Sequence, residues 1–126
     1  MDFTPDRPIY LQLQERLKQA IVSGRYNPGD KLPAVRDLAI EAAVNPNTVQ
    51  RALTELEREG LVHAQRTSGR YVTEDIEVIE RTKTDIALEL LRVFLDQMAA
   101  IGYNAKETVA LIEGRAGEEV IENGNT

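Results

Sequence analysis

Cysteine is absent from the chain, which removes disulfides, thiol nucleophiles and thiolate metal sites together. Histidine occurs once, at His63, in a stretch that reads as a strand. A Ser-His-Asp arrangement therefore has a single candidate base, and a transition-metal site lacks a second imidazole. We read His63 as structural or surface-exposed and expect no enzyme, no metal and no cofactor. Aromatic residues make up 5% of the chain, too few for an aromatic cage or a base-stacking platform. No apolar run approaches bilayer-spanning length, and residues 1–20 lack the basic start and apolar core of a signal peptide. A cytoplasmic protein without a membrane partner is the expectation. The glycines Gly24, Gly29 and Gly69 form no phosphate-cradling loop, and Glu55-Leu56-Glu57-Arg58-Glu59 is no metal box. Two of its acids are expected in ion pairs on a helix surface.

The 126 residues suffice for one domain, or a small domain with an appendage. The net charge of −6 is unevenly spread. Residues 1–74 hold ten Lys/Arg against ten Asp/Glu, and residues 75–126 hold five against eleven, so the later part carries the whole excess. The two parts are read as separate regions, 1–74 and 75–126.

The stretch Asn45-Pro46-Asn47-Thr48-Val49-Gln50-Arg51-Ala52-Leu53 is the most informative. Asn45 is a favourable N-cap, and Pro46 fits the first helical position, where a missing N–H costs nothing. Val49, Ala52, Leu53 and Leu56 then recur on one face, and Gly60 ends the run. The other face carries Asn47, Gln50, Arg51, Thr54 and Arg58, groups that hydrogen-bond rather than merely solubilise. A shorter helix precedes it, with Val35, Leu38, Ala39 and Ala42 or Ala43 at apolar spacing. Two short helices joined by a tight turn make a helix-turn-helix, whose second member (about 46–59) is the candidate recognition helix. Leu61 to Ala64 and Tyr71 to Thr73 then read as strands around a polar tip containing Arg66 and Arg70, a wing over about 61–73. Gln50 could pair with an adenine edge, and Arg51 with guanine or a phosphate. Arg36, early in the first helix of the motif, is either a solvated arginine or a phosphate contact.

Upstream, Ile9, Leu13, Leu17 and Ala20/Ile21 define an amphipathic helix opened near Pro8 and closed near Ser23-Gly24. Tyr10 beside that stripe suits the same core or an interface. Residues 25–33 read as a connector, with a Pro28-Gly29 turn. Downstream, apolar positions from about Ile79 to Ile101 describe a long helix with more apolar surface than one stripe, broken by Gly102. Asn104 with Glu107 caps a second helix bearing Val109, Leu111 and Ile112, and residues 122–126 are expected to fray. Two such helices either pack only on their own winged domain or pair with a second subunit, the reading we prefer. The dimerisation candidates are Ile86, Leu90, Leu91, Phe94, Met98, Val109 and Ile112.

With these residues in view, the chain resembles the GntR family of bacterial transcription regulators. Leu32-Pro33-Ala34-Val35-Arg36-Asp37-Leu38-Ala39 matches that family's Leu-Pro-Ser-x-Arg-x-Leu-Ala pattern, with Ala34 for the usual serine. The stretches Val44 to Leu53 and Leu56 to Leu61 look like the YtrA-type subgroup, and the match spans about residues 9–73. The fold class implied is mainly α with a small β-wing: a winged helix-turn-helix domain plus a short two-helix C-terminal dimerisation region. The resemblance implies double-stranded operator DNA as partner, a homodimer, repression, and room for an unknown small-molecule effector. DNA-binding roles would fall to Arg36, Asn47, Thr48, Gln50, Arg51, Arg66, Ser68, Gly69 and Arg70. Pro46 and Gln50 stand where some relatives carry arginine, and Thr67 where many carry an extra wing glycine. The alternative is a winged-helix module that binds protein or RNA without DNA specificity; the polar recognition face argues against it.

Overall fold

The computed structural model describes residues 2–66 and 68–122, with side chains described through residue 114. The path at Thr67 and the expected fraying from residue 123 onward lie outside the described residues. The chain divides into two compact units, Met1–Thr84 and Asp85–Thr126. Among the described residues, seven elements follow in order: α1 (Ile9–Val22), α2 (Val35–Ala42), α3 (Pro46–Arg58), β1 (Val62–Gln65), β2 (Gly69–Val72), α4 (Ile76–Ala100) and α5 (Ala105–Glu122). The fold is mainly helical with one two-stranded wing, as expected.

In the first unit, α1 contributes Leu13, Leu17 and Ile21 to a core shared with Leu38, Ala39 and Ala42 of α2. Val49, Ala52, Leu53 and Leu56 of α3 fill its centre, each at most 1% exposed. Leu61, Val62 and Val72 of the wing and Ile79 of α4 close it. The helical period of these positions is thus the period of the buried stripe. Ala42 is buried and Ala43 exposed, which resolves the choice between them.

Helix ends follow local chemistry. Asn45 caps α3, its Oδ1 accepting from the Asn47 amide at 2.8 Å, with Pro46 in the first turn. Asn104 and Glu107 bond each other's amides at the start of α5, a reciprocal capping box. Pro8 lies just outside α1, at its N-cap, rather than within the first turn. Gln12, buried in α1, accepts from the Thr4 amide and hydroxyl and donates to the Thr4 and Arg7 carbonyls, tying down the lead-in. The two observed strands pair antiparallel, Val62 opposite Val72 and Gln65 opposite Gly69. The connector is more than a linker. Lys31 bridges Tyr71, the Leu32 amide donates to the Arg70 carbonyl, and the Val72 amide to the Asp30 carbonyl, so residues 30–32 flank β2 on its free edge.

The second unit comprises residues 85–100 of α4 together with α5. Its helices expose Leu88, Leu90, Leu91, Val93, Phe94, Val109, Leu111 and Ile112, and the turn between them exposes Ile101. The helix α5 continues through Gly114 to Glu122 where the sequence turns polar.

Candidate nucleic-acid interface

Helix α3 buries one side in the core and turns Asn47, Gln50, Arg51, Thr54 and Arg58 to solvent, with Thr48 half-buried at its first turn. Gln50 and Glu57 are seven residues apart, two turns of helix, and share one flank. Strand β2 brings Arg70 to that flank. Its Nη1 donates to Gln50 Oε1 at 2.8 Å, and its Nε is paired with Glu57. The structure therefore joins a recognition-helix residue and a wing residue that stand twenty positions apart.

Arg51 leaves the same helix on the other side. Its guanidinium carbon lies 3.7 Å from the centroid of the Tyr10 ring, a cation–π contact that answers what Tyr10 does beside the α1 stripe. Arg58 pairs with Glu55 at 3.1 Å, and the Thr54 hydroxyl donates to the Gln50 carbonyl at 2.9 Å. Arg66 is exposed at the wing tip and Arg36 in the first turn of α2. Among the described residues, no carboxylate lies in salt-bridge range of Arg36, Arg51 or Arg66. Ser68 is half-buried and its Oγ accepts from the Tyr71 hydroxyl at 3.1 Å. Gly69 has φ +102°, a conformation that favours glycine, and Lys31 Cε lies 3.5 Å from where a Cβ would sit.

Three residues of this surface escaped the sequence reading as named partners: Glu57, Tyr10 and Lys31. Two ion pairs on the α3 surface were expected among Glu55, Glu57 and Glu59. Only Glu55 pairs within the helix; Glu57 reaches Arg70, and Glu59 reaches Lys18 at 2.8 Å. The seven-residue spacing of Gln50 and Glu57 was visible, but nothing local says which distant cation lies over it.

A short helix, a turn, a solvent-facing polar second helix and an arginine-tipped hairpin define a winged helix-turn-helix DNA-binding domain. Residues 9–72 match the family model "Bacterial regulatory proteins, gntR family". The chain belongs to the GntR family, on its YtrA-like branch. It is 41% identical over 91 residues to the HTH-type transcriptional repressor YtrA of Bacillus subtilis, covering 71% of this chain and 70% of that one. A solved GntR family transcriptional regulator from Listeria monocytogenes superposes with a TM-score of 0.82 at 39% identity, over 89% of this chain and 98% of that one. The structure of the AraR DNA-binding domain in complex with operator ORX1 matches at a TM-score of 0.55 and 25% identity, over 58% of this chain and 93% of that one. The protein is a DNA-binding transcription regulator.

Among the described residues, no helix is long and apolar enough to cross a membrane.

Proposed function

We propose that the protein is a cytoplasmic homodimeric repressor that binds a pseudo-palindromic operator and occludes a promoter. Residues 1–74 carry DNA binding and residues 75–126 dimerisation. The observation that carries the reading is the solvent face of α3, where Asn47, Gln50 and Arg51 stand on the exposed N-terminal half of the helix. Asn47 and Thr48 line its first turn, Arg36 and Arg66 supply phosphate contacts beside it, and Ser68, Gly69 and Arg70 shape the wing.

The dimer is supported by apolar surface that the chain leaves open. Leu90 is 63% exposed, and Leu91, Phe94, Val109 and Ile112 are exposed as well, with Ile86 and Met98 half-buried between them. A patch of this kind marks an interaction surface. Two-fold pairing of the second units would cover it and supply the second recognition helix that a palindrome needs, with half-site centres about 34 Å, or a multiple of that, apart. A small-molecule effector enters this proposal only as a ligand that alters the spacing of the two recognition helices.

The test is binding-site selection on random duplex DNA, read with the mass in solution. The expected result is a dimer and a pseudo-palindromic site. A folded dimer that enriches no duplex site at low salt would instead favour an interaction module. Within the selected site, Arg51→Ala should weaken binding by about 1–3 kcal/mol. The lost contact with Tyr10 should cost no more than about 1 kcal/mol of stability.

A further inference from the structure

An arginine side chain donates hydrogen bonds and cannot accept them. Arg70 Nη1 lies 2.8 Å from the Gln50 side-chain amide, so the atom facing it is the amide oxygen, Oε1. The guanidinium is itself held from behind by Glu57, and the Arg70 side chain is only 18% exposed. Gln50 therefore has one of the two lone pairs of Oε1 committed, the oxygen held toward Arg70, and its NH2 group left to donate. Among the hydrogen bonds of the described residues, Gln50 Nε2 makes none.

This matters for base choice. A glutamine reads adenine through two atoms, donating to N7 and accepting from the N6 amine. With Oε1 drawn to Arg70, only its second lone pair is left for the N6 amine, so the accepting half of that pair is weakened while both N–H groups stay free. Guanine instead offers two neighbouring acceptors, N7 and O6, and suits a group whose free atoms are its donors. Thymine offers one, and cytosine presents a donor that the amide NH2 would oppose.

We infer that Arg70 is a positioning residue that sets the specificity of Gln50, turning it from an adenine reader into a guanine reader, with Glu57 holding the arginine in place. This rests on the DNA-reading assignment of α3 made above. It gives Arg70 a different task from a wing contact with DNA: its guanidinium works through Gln50. It also replaces the adenine pairing expected from the residue type alone.

The experiment is parallel site selection with the full chain, its Gln50→Ala variant, Arg70→Met and Arg70→Lys, with thermal melts of each. Gln50→Ala identifies the position that residue reads. The parent should select guanine there. Arg70→Met keeps much of the aliphatic stem but removes the donors, and should raise adenine relative to guanine at that position by about fivefold or more. Arg70→Lys restores a donor-only group and should return guanine.

A second measurement needs no variant. The parent's affinity for its selected site should fall severalfold when 7-deazaguanine, which lacks the N7 acceptor, replaces guanine at that position. A parent that selects adenine there, an Arg70→Met preference identical to the parent's, or a uniform loss of affinity across all bases would overturn the assignment. So would indifference to 7-deazaguanine. If the parent enriches no site, the DNA-reading assignment itself fails, which is a different result from any of these.

Discussion

Among the described residues, three helices end in the same hydrogen-bonded turn, and one of them uses an unfavourable residue for it. At the end of α3 the Gly60 amide donates to the Glu57 carbonyl and the Leu61 amide to that of Leu56, both at 3.0 Å. The end of α4 repeats the pattern with Gly102 and Tyr103. At the end of α2, inside the helix-turn-helix, the Ala43 amide donates to Ile40 at 3.2 Å and the Val44 amide to Ala39 at 3.0 Å. The central residue of this turn must be left-handed, and Ala43 sits there at φ 56°, the one non-glycine residue with positive φ among the described residues. A Cβ in this conformation costs roughly 1–2 kcal/mol. Glycine would recover that cost but give up about 0.4–1 kcal/mol through its freer unfolded chain. Ala43 is exposed, so its methyl group contributes little packing. Ala43→Gly should therefore stabilise the first unit by about 0.5–1 kcal/mol. For a domain of this size that is a rise in melting temperature of about 2–8 °C. The assay is thermal unfolding followed by circular dichroism at fixed protein concentration, since a dimer's melting point depends on it. The mirror change, Gly60→Ala, meets nothing nearer than Val78 Cγ1 at 4.0 Å, so it should show the backbone cost alone and lower the melting point. A lower melting point for Ala43→Gly would refute the reasoning.

Asn45→Ala removes the 2.8 Å cap at the start of the recognition helix and should cost about 1 kcal/mol by urea titration, with an unchanged slope. The Glu89 carboxyl lies below its ordinary range because Arg92 hydrogen-bonds it and, secondarily, because of the arginine's charge. A carboxylate lowered in the folded state stabilises it above the ordinary carboxylate range and loses that contribution as pH falls through the lowered value. The helix signal of α4 should therefore weaken in acid, with a small amplitude because the pair is exposed, and the parent-minus-Glu89→Gln difference should follow that direction; a difference that grows in acid would contradict it.

The helix-turn-helix and wing were legible because their signals are local. Asn45-Pro46 announces a helix start, Gly60 a stop, and the apolar period of Val49, Ala52, Leu53 and Leu56 needs no knowledge of what packs on it. What escaped is non-local or written in the backbone. The flanking of β2 by residues 30–32 runs through amides and carbonyls, which every residue carries, so side-chain patterns were silent. The left-handed turn at Ala43 is hidden because alanine advertises a helix interior, not its end. The pairing of Glu57 with Arg70 needs the wing to fold back on α3, which charge spacing within either segment does not show. Helix α5 passes through Gly114, since a single glycine costs a helix only about 1 kcal/mol.

The arrangement of charge explains why a chain with this reading surface would need its tail. Arg58 of α3 and Arg70 of β2 are each paired with a glutamate of α3, and Arg51 is held over Tyr10. Such contacts restrict the side chains before DNA arrives, which lowers the ordering cost of binding. The first 74 residues also carry balanced charge, so counterion release contributes less than a strongly basic domain would gain. One winged domain on this plan is well shaped but weakly drawn to a polyanion. Joining two in the proposed dimer makes the second contact intramolecular, and affinity then rises through effective concentration rather than through added positive charge. The exposed leucines of α4 and the paired-off arginines of α3 and β2 would then be two halves of one design: specificity fixed within the subunit, and binding strength supplied between subunits by the proposed dimer.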